Sequence, residues 1–186
     1  MGGPIIEHLG ATRVAMENEP ASCARILLVG EDNPQSSAPE HALYPHPERC
    51  AGERLCNTIL RLDEDVYLAC YRTNLCHDGS WNIKKARERA VTLTGPEVPW
   101  DTVVMLGAKV LKVFQSEFKD TPALDLGTMK PFQIRGPLPP IATFTLRLLY
   151  LPHPSGRNLM YNSQAVRDNA RDALRCLHRD LWSPAE

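Results

Sequence analysis

Three short apolar runs constrain this chain more than any other feature. Ile26–Val29, the stretch DTVVMLG at 101–107 and Ala142–Leu151 read as buried strands, and each stops at glycine or at polar residues. Val66–Tyr71 reads as a further strand, ending at Arg72, Thr73 and Asn74. Between these runs the apolar spacing turns helical. Leu55, Ile59 and Leu62 mark a helix over 51–62, and a basic-faced helix is expected over 83–94. Val110, Leu111, Val113 and Phe114 mark one over 108–118. Val166, Ala170, Ala173, Leu174, Leu177 and Leu181 mark a last helix over 163–181, with Ser163 as its cap. Strands that alternate with helices predict an α/β protein, a three-layer sandwich around a central, mostly parallel four-stranded sheet.

At 186 residues one domain is expected. The reading divides it into a flexible arm over 1–22 and a folded unit over 23–186. The Pro- and His-rich segment 35–49 is expected to be loop, with Tyr44 in its middle, and 119–140 irregular, with a short strand at Phe132–Ile134. The 21 Lys and Arg nearly balance the 22 Asp and Glu, so any contact with nucleic acid must be local rather than driven by an overall positive field. Six cysteines form no C-x-x-C pair, which argues against zinc or a redox couple, and His41 and His46 lack a third ligand nearby. No metal or other cofactor is expected. Reduced thiols fit an intracellular, cytoplasmic or DNA-associated protein. No apolar run reaches transmembrane length, so no membrane partner is expected, and a monomer is the simplest assembly.

The polar strand ends carry the functional signal. Asp32 and Asn33 follow the first strand, Asn74 the second, and His153, Ser155 and Arg157 lie in PHPSGRN at 152–158. In open α/β sheets ligands bind outside the carboxyl ends of the strands. Parallel neighbours would bring all three clusters to one sheet edge. Arg167, Arg171, Arg175 and Arg179 recur every four residues on the last helix. Interleaved Asp168, Asp172 and Asp180 make this a solvated, self-neutralised face rather than a DNA-binding stripe.

In these residues the chain resembles the uracil-DNA glycosylase superfamily. GEDNPQSSA followed by LYPHP is similar to the first motif and base-stacking loop of its mismatch-specific uracil/thymine branch. RTNLC is similar to the Asn-bearing strand end, DTVVMLGAKVLKVF to the buried strand–Gly–helix segment, and LPHPSGRN to the DNA-inserting loop. The chain departs from the pattern at Gln35, where the family has glycine, and in its cysteine spacing, which lacks that of the iron–sulfur branches.

The resemblance implies a monofunctional DNA glycosylase that hydrolyses the N-glycosidic bond of uracil or a related altered pyrimidine flipped out of DNA. Asp32 or Asn33 would direct the water. Tyr44 would stack on the base, and Asn74 would read its edge with one donor and one acceptor. His153 would donate to the carbonyl oxygen that gains negative charge. Ser155, the Gly156 backbone and Arg157 would hold phosphates, and Leu159 would wedge into the base stack. Two other functions suit the same residues: a non-catalytic nucleic-acid-binding protein, and a hydrolase of free nucleosides or nucleotides.

Overall fold

A computed structural model describes residues 10–33, 36–95, 97–118, 132–135 and 145–182, the backbone alone at 132–135 and 145. Its centre is a sheet in which four parallel strands lie side by side, with a fifth at one edge. The strands are β1 (Ile26–Gly30), β2 (Tyr71–Asn74), β3 (Thr102–Leu106), β4 (Phe132–Arg135) and β5 (Thr145–Leu151). Their order is β2-β1-β3-β5-β4, and only β4 runs antiparallel. The parallel α/β sandwich expected from the sequence is therefore present, with the short strand near Phe132 added at its edge.

Both faces of the sheet are buried, which is why its strands are continuous apolar runs. Ile26, Leu28, Val104, Leu106, Leu149 and Leu151 face one helical layer. That layer comprises α1 (Ala51–Glu53), the π-helical turn Arg54–Leu60 that continues it, α2 (Glu64–Ala69) and α5 (Gln164–Arg175). Leu27, Val29, Val103, Met105, Leu148 and Tyr150 face the other layer, α3 (Ile83–Thr92) and α4 (Ala108–Glu117).

Several expected boundaries are corrected. Val66–Ala69 is not strand but the body of α2, whose first turn carries Glu64 and Asp65, acidic groups that suit a helix amino terminus. The strand starts only at Tyr71, so Arg72, Thr73 and Asn74 lie within it, in register with Leu28, Val29 and Gly30. The last helix stops at Arg175 rather than Leu181. The N–H groups of Leu177 and His178 both turn back to the Leu174 carbonyl, and a separate 3-10 turn follows at Arg179–Trp182. Residues 10–22 are not a loose arm. Thr12 exchanges backbone hydrogen bonds with Arg72 along the free edge of β2, and Ala11 is fully buried. The arginine stripe is not wholly solvated either. Arg171 is buried, donating to the Ile59 carbonyl at 3.0 Å and pairing with Asp168 at 2.7 Å. Residues 1–9, Pro34, Gln35, most of 119–140 and 142–144 of the expected fourth strand lie outside the described residues.

Candidate active site

The strand order turns back on itself beside β1, with β2 on one flank and β3 on the other. That arrangement opens a crevice at the carboxyl ends. A cavity of about 350 Å³ lies there, within the roughly 300–1,000 Å³ range of small-molecule sites. Asp32, Asn33, Tyr44, Asn74 and His153 all line it, together with Gly30, Glu31, His41, Leu43 and His46. A larger cleft, about 730 Å³, lies between the 16–20 segment and Arg61–Val66. Its lining has carboxylates but no histidine, thiol or hydroxyl, and none of the strand-end residues singled out in the sequence belongs to it.

Local sequence explains how each side chain is presented. Asn74 closes β2 opposite Gly30, and a Cβ at Gly30 would come within 2.3 Å of the Asn74 Oδ1. Glycine at the end of β1 thus leaves the room that the amide occupies. Asn74 is 3 % exposed, and its side-chain amide has no hydrogen-bond partner among the described residues. At the cavity wall that amide offers one donor group and one acceptor to a ligand.

Tyr44 sits in a loop that is well fixed despite its composition. Leu43 adopts a left-handed backbone (φ 51°), its carbonyl accepts from the Tyr67 hydroxyl at 2.8 Å, and the Tyr44 carbonyl accepts from Cys50 Sγ at 3.2 Å. The Tyr44 ring is about one-third exposed, with one side toward solvent.

His153 follows β5 and packs beside Gly107, where φ is +100° and a Cβ would lie 3.1 Å from the His153 Cβ. Its Nδ1 accepts from the Ser155 N–H at 3.1 Å, which assigns the proton of the neutral ring to Nε2 and makes that nitrogen the donor. Burial lowers the His153 pKa, against the pull of Glu31, and so favours the neutral ring. Glu31 itself is engaged by Lys109 at 3.0 Å, in the first turn of α4.

The two candidates for directing water differ. The Asn33 amide donates to the His41 carbonyl at 3.3 Å, tying the strand end to the Tyr44 loop. The Asp32 carboxylate makes no hydrogen bond or ion pair among the described residues, is partly exposed at the cavity wall, and its charge acts to raise the His153 pKa.

Ser155, Gly156, Arg157 and Leu159 do not line the cavity. They belong to the loop that leaves His153, braced by Asn158, which donates to the His153 carbonyl at 3.0 Å and accepts from the Met160 N–H at 3.1 Å. Gly156 and Arg157 are exposed, and Leu159 is 70 % exposed. Arg54, from the π-helical turn, approaches the same loop: a Cβ on Gly156 would lie 3.2 Å from its Nη1. Sequence reasoning missed Arg54, and it missed His41, His46 and Glu31 as wall residues. In the sequence His41 and His46 stand out as members of a Pro- and His-rich loop and as metal ligands without a companion set, not as walls of a site. His46 meets Glu64 at 3.0 Å and His41 meets Ser36 at 2.8 Å, so each has a side-chain partner. Among the described residues no three His, Cys, Asp or Glu side chains gather as metal ligands, and no helix is long and apolar enough to cross a membrane.

Compared with protein-family models and with curated proteins, the sequence gives no match.

Proposed function

We propose that the chain is a monofunctional DNA glycosylase that removes uracil or a related altered pyrimidine flipped out of DNA. The observation that carries this reading is the meeting of Asp32, Asn33, Tyr44, Asn74 and His153 around one cavity at the carboxyl ends of the parallel strands. Cleavage of an N-glycosidic bond leaves cationic character on the sugar and anionic character on the base, and needs a water on the sugar. A carboxylate and a neutral histidine donor at one cavity supply opposite electrostatic responses to those two charges.

In this reading Asp32 takes the proton of the attacking water and faces the cationic sugar. Asn33 positions the strand end through His41. The base stacks on Tyr44, Asn74 reads its edge through the donor and acceptor of one amide, and His153 Nε2–H donates to the carbonyl oxygen. Flipping costs a few kcal/mol. The exposed Leu159 and Met160 supply an apolar wedge to offset it, and Ser155, Gly156, Arg157 and Arg54 supply the phosphate contacts. A hydrolase of free nucleosides would have no use for that wedge, and a purely binding protein would have no use for a carboxylate beside the sugar.

The test is to incubate the protein with oligonucleotides carrying a panel of altered bases and to cleave abasic sites with alkali, with free nucleosides assayed in parallel. Excision from DNA, lost in the D32A/N33A double variant and altered in base preference by N74D, supports the reading. Hydrolysis of nucleosides alone, or wild-type excision by D32A/N33A, overturns it.

A further inference from the structure

The cavity has no lysine or arginine in its wall, yet a cation lies behind it. Arg72 is 2 % exposed on the face of β2 that also carries Asn74, two residues deeper in the sheet. Its Nε and Nη1 are buried without a hydrogen-bond partner, and no carboxylate pairs with it among the described residues. Its guanidinium instead lies 5.8 Å from the centre of the Tyr44 ring and 6.0 Å from that of Tyr67.

Three groups that act on it, Cys56, Tyr67 and Cys70, are held in their neutral forms. Burial pushes the Cys56 thiol up to about 12, burial raises the Tyr67 phenol, and a hydrogen bond with Cys23, with burial, raises the Cys70 thiol. Burial lowers the basicity of Arg72, but a guanidinium starts far enough above neutrality to stay protonated. An unpaired charge in an apolar layer is among the costliest groups a core can hold, and cation–π contacts recover only part of that cost. With no ion pair to it among the described residues, the guanidinium acts through the Tyr44 ring on whatever occupies that side of the cavity.

Glu31 and Asp32 line the cavity at the end of β1, the neighbouring strand. The site is thus polarised, with carboxylates at the strand end and a cation behind the aromatic wall.

We propose that Arg72 is a specificity-determining cation of this site, making the cavity select a planar ring that carries negative charge over its neutral counterpart. The proposal rests on the glycosylase reading for the identity of that ring. When the C1′–N bond breaks, its electron pair leaves with the base, water adds its oxygen to C1′ and its proton goes to Asp32. Arg72 then acts on the base without touching it, and so complements the Nε2–H donor of His153. A charge acting on a ring from behind an aromatic wall in a protein interior is worth on the order of ten-fold in affinity or rate.

The experiment measures binding of two free rings by calorimetry at neutral pH: uracil, which is neutral, and 5-nitrouracil, which is acidic enough to be an anion. Wild type, R72M and R72K are compared. Expected is a preference of about ten-fold for the anionic ring in the wild type, kept by R72K and lost by R72M, with uracil affinity changed less than about three-fold. A second arm compares single-turnover excision of uracil and 5-fluorouracil from the same oligonucleotide. R72M should slow uracil, the poorer leaving group, more than 5-fluorouracil, whereas a packing defect would slow both alike.

An anion preference retained by R72M, or absent from the wild type, overturns the proposal. If R72M does not fold, R72Q, which removes the charge and keeps a polar side chain, is measured in its place with the same expected loss. A wild type that prefers the anion but excises no base overturns the glycosylase reading alone. Excision without any anion preference overturns only the role of Arg72.

Discussion

The two ends of the central sheet use buried polar groups in opposite ways. At the amino end, Asp101 receives Arg25 and, at 2.6 Å, Arg147. His178 lies between the hydroxyls of Ser22 and Thr102, each at 2.9 Å, and Asp180 accepts the Ser22 N–H at 2.9 Å as well as its hydroxyl. None of these groups has a buried polar atom left without a partner. At the carboxyl end, the Asn74 amide and the Asp32 carboxylate make no side-chain hydrogen bond or ion pair among the described residues, and there Arg72 Nε and Nη1 are buried without a partner. Groups paired within the chain hold the chain together. Groups left unpaired at a cavity are the ones a ligand could pair with, which is what the proposed function asks of them.

That contrast breaks first at His153. H153A should slow single-turnover excision roughly 100- to 1000-fold, the usual scale for losing one preorganised donor, while the urea midpoint stays nearly unchanged. A midpoint that drops in step with the rate would make His153 a structural residue like His178.

The amino end answers to pH. Burial depresses the His178 pKa to about 4. Between that value and its ordinary 6.5 the unfolded chain binds more protons than the folded one, so stability is full above pH 6.5 and falls as pH drops toward 4. The loss is roughly 3 kcal/mol across that window. Urea unfolding from pH 4.5 to 7.5 measures it, and H178N should flatten the slope. A His178 pKa above 6.5 by NMR would show that Asp101 and Asp180, acting through the two hydroxyls, outweigh burial.

A smaller effect is expected at Gly30. The new methyl of G30A would meet the Asn74 amide at 2.3 Å, costing about 1–3 kcal/mol of stability by overpacking. Its signature is discrimination between bases falling more than overall excision, read from competing substrates. Uniform slowing would mean that Asn74 does not read the base. The smallest change belongs to the exposed loop. R157A should weaken binding of every oligonucleotide alike and lower the salt dependence by about one counter-ion, as fluorescence titration at several salt concentrations would show. A base-dependent loss would move Arg157 into the readout.

The parts of the fold legible in sequence are those where one local pattern had one meaning. Ile26–Gly30 and Thr102–Leu106 are fully buried runs, and no amphipathic helix reads that way. The acidic start of α2 was also written in the chain, as Asp63, Glu64 and Asp65, but Val66 and Leu68 looked equally suited to a strand. Tertiary pairing decided the case, because only Tyr71–Asn74 falls in register with β1. The same holds for the end of α5, where His178 leaves the helix to reach Ser22 and Thr102, residues 156 and 76 positions away. The strand-end residues Asp32, Asn33, Asn74 and His153 were legible as candidates because polar groups stop apolar runs. Arg72 was not, since it stood in the same polar cluster and nothing local marked it as buried.

By itself, then, the sequence determined the alternation of strands and helices, the parallel sheet that follows from it, and the polar residues at the strand ends. Periodicity and run length are properties of neighbouring residues. Only the tertiary structure decided that those ends meet around one cavity, that Tyr44 lines it from a loop braced by Tyr67, and that Arg72 is buried behind it with Nε and Nη1 unpaired among the described residues. Those facts depend on register, layer order and burial, which arise when segments distant in the chain pack together, and no local pattern encodes them.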